Sequence, residues 1–488
     1  MNKSIIRFYK GWGALLSGII VFIVLLLINP FGLELQANKT LAVAGLMITW
    51  WINEALPMPV VALLPILLFP LMGIAGIKGT SASYGDSIIY LFLGGFMIGL
   101  AIEKWNLHKR IALNIVRLTG TSGDRIILGF ILATGLLSMW LSNTATTMMM
   151  FPIATSVIRV VQENRQGEGN HANFSVAIML SIAYASNFGG IATIIGTPPN
   201  VAFVGFIKEK YNYIIQFSDW MIICFPIALL LLLSLYVVNT KFLFPNKLKA
   251  DDATRDHIHD EIKQLGPVSQ TEKRVLFIFL ATAFLWITKD IINTSGLVKL
   301  DDTMVALMGA FALFICPVGQ ADRDRSKRIL EWPDTSKMAW GILLLFGGGI
   351  ALASGLESAG LIEKLGSWIA SGAGNGGFML IVAITVVAIF VSEVMSNIAQ
   401  VIVFAPVVAG ISDAMGMNPL LLGVPMTLAA SCASMMPMGT PPNAIVFASG
   451  QIRLYQMVKA GFVMNIISII LITLFSYFLV PVLIPQLR

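Results

Sequence analysis

The pentapeptide Gly-Thr-Pro-Pro-Asn occurs at 196–200 and again at 439–443, each time inside a long apolar stretch. Prolines interrupt the helical hydrogen-bond ladder, so each copy leaves carbonyl and N–H groups without helical partners. Within a bilayer such groups are tolerated only where they are buried in protein or line a cavity. Free carbonyl oxygens suit a small hard cation, and a helix N-terminus starting at the prolines, beside Thr and Asn side chains, suits an anion. Ser142-Asn143-Thr144 and Ser396-Asn397-Ile398 interrupt two further apolar stretches with the same kinds of groups. Four such breaks brought together would form a polar pocket with no acid or base in it. The intervals 126–158, 175–207 and 414–452 contain no Asp, Glu, Lys or Arg. An anion held there would be neutralised by helix ends or by bound cations, which is a physical reason to expect sodium coupling. Glu393 is the one charge in the second interrupted stretch. An intramembrane carboxylate is a functional candidate by default, either as a proton or cation site or as a partner of neighbouring amides, and the sequence leaves both open. These elements offer no His and no carboxylate pair for acid–base work, so the chain is not read as an enzyme.

The elements that must position these groups are membrane helices. Of the 488 residues, 57% are hydrophobic and 12% charged, and the mean hydropathy is +0.82, which excludes a large soluble enzyme. Runs such as Ile19–Ile28 read as helix rather than barrel strand. The pattern predicts an all-α polytopic membrane protein of about eleven transmembrane helices and two re-entrant hairpins. An N-terminal span lies in 1–39. Further spans follow in 40–102, a surface helix in 103–119, a hairpin in 125–162 and a broken helix in 173–208. After a connector, 241–274, the order repeats: spans in 275–318, surface helix 357–370, hairpin 380–412 and broken helix 415–450. The surface helix carries Leu107, Ile111, Ile115 and Leu118 on one face, an amphipathic pattern suited to a membrane surface. The connector holds seven basic and six acidic residues with His257 and His259, and reads as a solvated cytoplasmic segment rather than a metal site.

With the N-terminus inside, 24 of the 32 basic residues fall on the cytoplasmic side, so the net charge of +6 is mainly an orientation signal and not a nucleic-acid footprint. This predicts N-in, C-out in the cytoplasmic membrane. The sorting depends on counting the two Ser-Asn stretches as hairpins. One shift pairs Gly94-Gly95 with Gly348-Gly349, Ser142-Asn143 with Ser396-Asn397 and Pro152 with Pro406; a slightly smaller one pairs the two Gly-Thr-Pro-Pro-Asn copies. Each copy has an odd number of crossings, so the repeats are inverted. Inverted repeats with broken helices mark secondary transporters whose site lies near the midplane.

Trp-Trp-x-x-Glu-Ala-Leu-Pro at 50–57, Gly-Gly-Phe-Met at 94–97, Glu-Lys-Trp-Asn-Leu-His-Lys-Arg-Ile-Ala-Leu at 103–113, Ser-Asn-Thr at 142–144 and both Thr-Pro-Pro-Asn copies resemble the divalent anion:sodium symporters, the INDY-type di- and tricarboxylate carriers. The resemblance covers essentially the whole chain. It implies a homodimer in which a transport part of hairpins and broken helices moves as an elevator against a scaffold in 40–102 and 275–318, the spans 40–75 and 275–318 forming the dimer interface. It further implies that substrate carboxylates are held by Asn143, Thr144, Asn397, Thr440 and Pro441, with Thr197 and Pro198 as further candidates and Ile398 at the corresponding place in the second hairpin. One sodium site would comprise Ser138, Ser142, Asn143 and Gly196, and the other Ser392, Met395, Asn397 and Gly439. Typical dicarboxylate carriers of this kind have Thr where this chain has Ile398, which bears on substrate range. The implied function is sodium-coupled transport of C4/C5 dicarboxylates (succinate, malate, fumarate, 2-oxoglutarate) without an organic cofactor. The alternatives are sodium-independent dicarboxylate exchange, citrate or sulfate transport, and, from another class, an anion channel.

Overall fold

The structure, a computed structural model, describes residues 3–163, 170–250, 252–294, 296, 298–319, 327–373 and 377–483. Arg165, Arg323, Arg325 and Arg488, four of the basic residues used for orientation, lie outside the described residues. The first half contains α1 (Lys3–Ile28), α2 (Leu35–Ile52), α3 (Met58–Val61), α4 (Leu64–Met72), α5 (Ile77–Ala82), α6 (Ser87–Lys104), α7 (Leu107–Thr119), α8 (Gly123–Ser138), α9 (Asn143–Glu163), α10 (His171–Gly190), α11 (Pro198–Tyr211) and α12 (Phe217–Val237). The connector helix is α13 (Asp252–Gln264). The second half contains α14 (Gln270–Thr294), α15 (Asp302–Ile315), α16 (Trp340–Ser358), α17 (Leu361–Ala373), α18 (Gly377–Val391), α19 (Asn397–Ala414), α20 (Pro419–Ser431), α21 (Pro441–Phe447) and α22 (Leu454–Leu483). Among the described residues seven helices are long and apolar enough to cross a membrane, and shorter apolar helices accompany them. The fold is that of an all-helical polytopic membrane protein.

Local chemistry sets the breaks. Thr197 and Thr440 take nearly the same extended conformation (φ −142°, ψ 139° and φ −142°, ψ 150°) and prolines occupy the first turns of α11 and α21. A residue before proline is disfavoured in the helical region, and proline is best placed where a helix has no N–H to pair. Asp86 caps α6 through Ile88 N–H at 2.8 Å, and Asp301 caps α15 through Thr303 N–H at 2.8 Å. α8 and α9 form the first hairpin, turning at Met139–Ser142; α18 and α19 form the second, turning at Ser392–Ser396. α10 packs on α8 and α9, α18 and α19 on α20, and α12 on α22. The two halves meet where α6 packs on α15, α9 and α10 on α21, and α11 on α16 and α19.

Met58–Met72 forms one short apolar helical stretch with a step between α3 and α4, where Pro65 removes a ladder donor and the Tyr84 hydroxyl takes up the Ala62 carbonyl. On α7 Leu107, His108, Ala112, Leu113 and Val116 are buried against α8 and α13, and Leu118, on the apolar face expected to meet the membrane surface, is 80% exposed. The connector is docked, not merely solvated. Thr254 and Ile258 are buried, His257 Nε2 lies 2.8 Å from Ser156 Oγ on the first hairpin, and Arg110 on α7 pairs with Glu272 at 2.7 Å.

Candidate functional site

The first half-site forms where the turn of the first hairpin meets the break between α10 and α11. Ser138 Oγ lies 2.7 Å from Asn143 Oδ1 and 2.7 Å from the Ser186 carbonyl oxygen. The Thr193 hydroxyl donates to the Met139 carbonyl at 2.5 Å and accepts from Gly196 N–H at 3.0 Å. Asn200, fully buried, directs its amide to the Gly190 and Thr193 carbonyls at 3.3 and 2.8 Å.

The second half-site repeats this arrangement with its own residues. Ser392 Oγ lies 2.7 Å from Asn397 Oδ1 and 2.5 Å from the Ala430 carbonyl oxygen. Asn443 directs its amide to the Ala433 and Met436 carbonyls at 3.4 and 3.0 Å. In each half, therefore, a Ser hydroxyl holds the hairpin Asn, and the Asn that follows the prolines organises the carbonyls of the break. Each half supplies side-chain and main-chain oxygens, the donor set a hard monovalent cation uses.

Gly196 is required by close approach. A Cβ there would stand 2.4 Å from the Gly190 carbonyl oxygen and 3.0 Å from those of Ser138 and Met139. At Gly439 the nearest atoms are Glu393 Oε2 at 3.1 Å and the Met436 carbonyl oxygen at 3.3 Å. Overpacking of this kind costs about 1–3 kcal/mol, so Gly196→Ala is expected to lower uptake roughly tenfold or more, and Gly439→Ala to lower it less. Initial uptake rates per inserted transporter check that order.

The halves are joined through a residue the sequence reading did not name. Asn187, buried in α10, accepts from Asn143 Nδ2 at 3.4 Å and donates to Thr440 Oγ1 at 3.1 Å. Thr440 Oγ1 also accepts from Asn443 N–H at 3.3 Å. The structure thus links Asn143 of the first hairpin with Thr440 of the second break. A signal was available, since Ser186-Asn187 is another Ser-Asn pair within the charge-free interval 175–207.

The other candidates are placed as follows. Thr144 and Pro198 are half-buried, Pro441 is exposed, and Thr197 is buried without a side-chain cap bond. Ser142 Oγ accepts from Ala145 N–H at 3.3 Å in the first turn of α9. Met395 and Ile398 sit with the apolar cluster around Trp51 and Val61, and Asn397 is tied to its own half through Ser392.

Glu393 is 4% exposed. Its Oε1 accepts from the backbone N–H groups of Ser434 and Met435 at 2.9 Å and from Asn465 Nδ2 at 2.7 Å, and its Oε2 accepts from Met436 N–H at 2.9 Å. Of the two roles left open, it fills that of amide partner: four donors occupy the carboxylate. Its repeat counterpart is Met139, whose carbonyl meets Thr193 instead. The two breaks are stabilised by different means.

Residues 9–484 match the family described as the sodium:sulfate symporter transmembrane region. The chain belongs to this family, the divalent anion:sodium symporters. It is a membrane transporter and not an enzyme. Among similar proteins, the sodium-dependent dicarboxylate transporter SdcS of Staphylococcus saprophyticus subsp. saprophyticus is 38% identical over 474 residues, covering 96% of this chain and 91% of the relative. SdcS of Staphylococcus aureus strain USA300 is 38% identical over 475 residues, with the same coverage.

Proposed function

We propose that this symporter-family member carries C4/C5 dicarboxylates such as succinate, malate, fumarate and 2-oxoglutarate across the cytoplasmic membrane together with sodium. The observation that carries this reading is the duplicated Ser–Asn cluster with its converging carbonyls, bridged by Asn187 and set in stretches, 126–158, 175–207, 380–412 and 414–452, that hold no Lys or Arg. The relatives named sodium-dependent dicarboxylate transporters support the same substrate class. Two carboxylates need compensation. In this reading it comes from the N-terminal ends of α9, α11 and α19, from amide and hydroxyl donors, and from sodium in each half. Sodium would take Ser138, Ser142, Asn143 and Gly196 on one side and Ser392, Met395, Asn397 and Gly439 on the other. Asn143 and Asn397 then belong to both the cation and the anion sets, which couples the two ligands.

The hairpins, broken helices, α12 and α22 form the moving body of an elevator. The spans of 40–102 and 275–318 form the frame, those of 40–75 and 275–318 the homodimer interface, and the chain runs N-in to C-out. Ile398 packs on the apolar cluster around Trp51, so the second hairpin lacks, after Asn397, the hydroxyl that Thr144 supplies after Asn143 in the first, a difference that bears on substrate range.

Labelled succinate uptake into empty proteoliposomes tests the reading. Accumulation under an inward sodium gradient, with none in potassium, is expected. Uptake that ignores sodium and requires a dicarboxylate inside the vesicles would show an exchanger instead.

A further inference from the structure

Lys289 is 1% exposed on α14, and a buried ammonium in a membrane protein demands a partner and a reason. Its Nζ lies 3.1 Å from Asp302 Oδ1 at the start of α15 and bonds the side-chain carbonyl of Gln216. Asp302 Oδ2 in turn accepts the N–H of Phe217, the first residue of α12, at 3.0 Å. One turn before Lys289, the fully buried Trp286 donates its indole N–H to the Asp302 carbonyl at 3.0 Å.

An aromatic stack stands on this base. Phe217 lies on Trp286 with centroids 4.7 Å apart and planes 16° from parallel. Trp140 stacks on Phe217 at 6.1 Å and on Trp286 at 6.3 Å, and meets Phe279 of α14 edge-on at 5.0 Å. Trp140 lies in the turn of the first hairpin, immediately before Leu141, Ser142 and Asn143. The hairpin turn that carries the first half-site therefore rests on α14.

Ordinary core packing does not account for the charges. A buried ion pair gains little stability over apolar residues of the same volume, and its best-attested use is to fix one arrangement among several. This pair grips Gln216 and the main chain of Phe217, and so fixes the stack on which Trp140 sits. The turn of the second hairpin has a corresponding indole from the first half: Trp51 on α2, buried, donates to the Met58 carbonyl at 3.3 Å and shares its apolar cluster with Met395 of that turn.

We propose that Trp286, Lys289 and Asp302 are positioning residues, a seat on α14 and α15 that holds the turn of the first hairpin, and with it Asn143, at one end of the elevator's travel. This deepens the transport reading above and rests on it. With Cys224, Cys316 and Cys432 replaced by alanine, Leu141→Cys places a buried thiol in the turn. Its labelling by a maleimide in vesicles opened to the reagent on both faces is expected to rise at least fivefold on Trp286→Ala. It should also rise in the volume-keeping double variant Lys289→Met/Asp302→Leu, and Trp286→Phe should largely restore protection.

In parallel uptake assays Trp286→Ala should raise the substrate KM and the half-saturating sodium concentration at least fivefold, with a smaller change in kcat. Labelling unchanged in both variants, or an altered amount of folded protein with KM and sodium dependence unmoved, would overturn the seat. If the wild-type chain ignores sodium while Trp286→Ala still exposes Leu141→Cys, the coupling reading fails and the seat stands.

Discussion

Asn143→Ala is expected to abolish sodium-driven succinate uptake while leaving an inserted, folded transporter. The amide of Asn143 has two protein partners, Ser138 Oγ at 2.7 Å and Asn187 Oδ1 at 3.4 Å. Removing it leaves Asn187 Oδ1 without a partner, while Ser138 keeps the Ser186 carbonyl, and a buried polar group so stranded costs about 1–3 kcal/mol. In the proposed function Asn143 also ligates sodium and contacts a substrate carboxylate, so the loss falls on the occupied state more than on the empty one. Two or more kcal/mol of differential binding corresponds to roughly thirtyfold, and with a cation ligand gone as well the loss should exceed ~100-fold. Asn143→Asp keeps an acceptor for Ser138 but adds a negative charge beside an anion, and is expected to fail equally. Asn187→Ala cuts only the bridge to Thr440 and should retain measurable uptake. Initial rates normalised to transporter in the vesicles, over a sodium series, separate the three; Asn143→Ala transporting within threefold of wild type would remove Asn143 from the site.

Glu393→Ala should have the largest effect on stability. The side chain satisfies four donors, three of them successive backbone N–H groups of the break that ends at Thr440. Nothing else among the described bonds of this segment replaces it. At about 1–3 kcal/mol for each buried donor left without a partner, the sum reaches the 5–15 kcal/mol that typically holds a folded domain. The variant should therefore lose its cooperative thermal unfolding transition in detergent or show it strongly lowered. Glu393→Gln is the sharper comparison. It keeps the shape but turns one acceptor into an NH2 group facing either Met436 N–H or the Ser434 and Met435 amides, donor against donor. We expect an intermediate melting temperature and weak uptake. A Glu393→Gln protein with wild-type stability and transport would show that these amides need no carboxylate.

What was legible in the sequence followed from local chemistry. Pro198-Pro199 and Pro441-Pro442 force helix starts, and the Ser-Asn interruptions fall at hairpin turns because each Ser and Asn lies at a helix junction. The match of Ser138–Asn143 with Ser392–Asn397 was readable from the repeat. Partners contributed by a distant element were not readable: Asn187 faces Asn143 and Thr440 only because α10 packs against both α9 and α21, and Asn465 meets Glu393 across 72 residues of chain. On α7 hydrophobic periodicity marks an apolar stripe, but which residues are covered is decided by where α8 and α13 pack. The asymmetry of Glu393 against Met139 was visible as a mismatch of the repeats, but its meaning required the three amides it receives.

The central claim is that cation and dicarboxylate share one duplicated site through Asn143 and Asn397, and linkage makes it measurable without transport. Binding of one ligand must then raise affinity for the other by the same factor. Calorimetric titration of purified transporter with succinate at a series of sodium concentrations, with potassium holding the ionic strength constant, is the direct measurement. Succinate affinity that rises steadily with sodium and vanishes in potassium alone is predicted, with the dependence lost in Asn143→Ala. Equal succinate affinity in sodium and in potassium would contradict the claim.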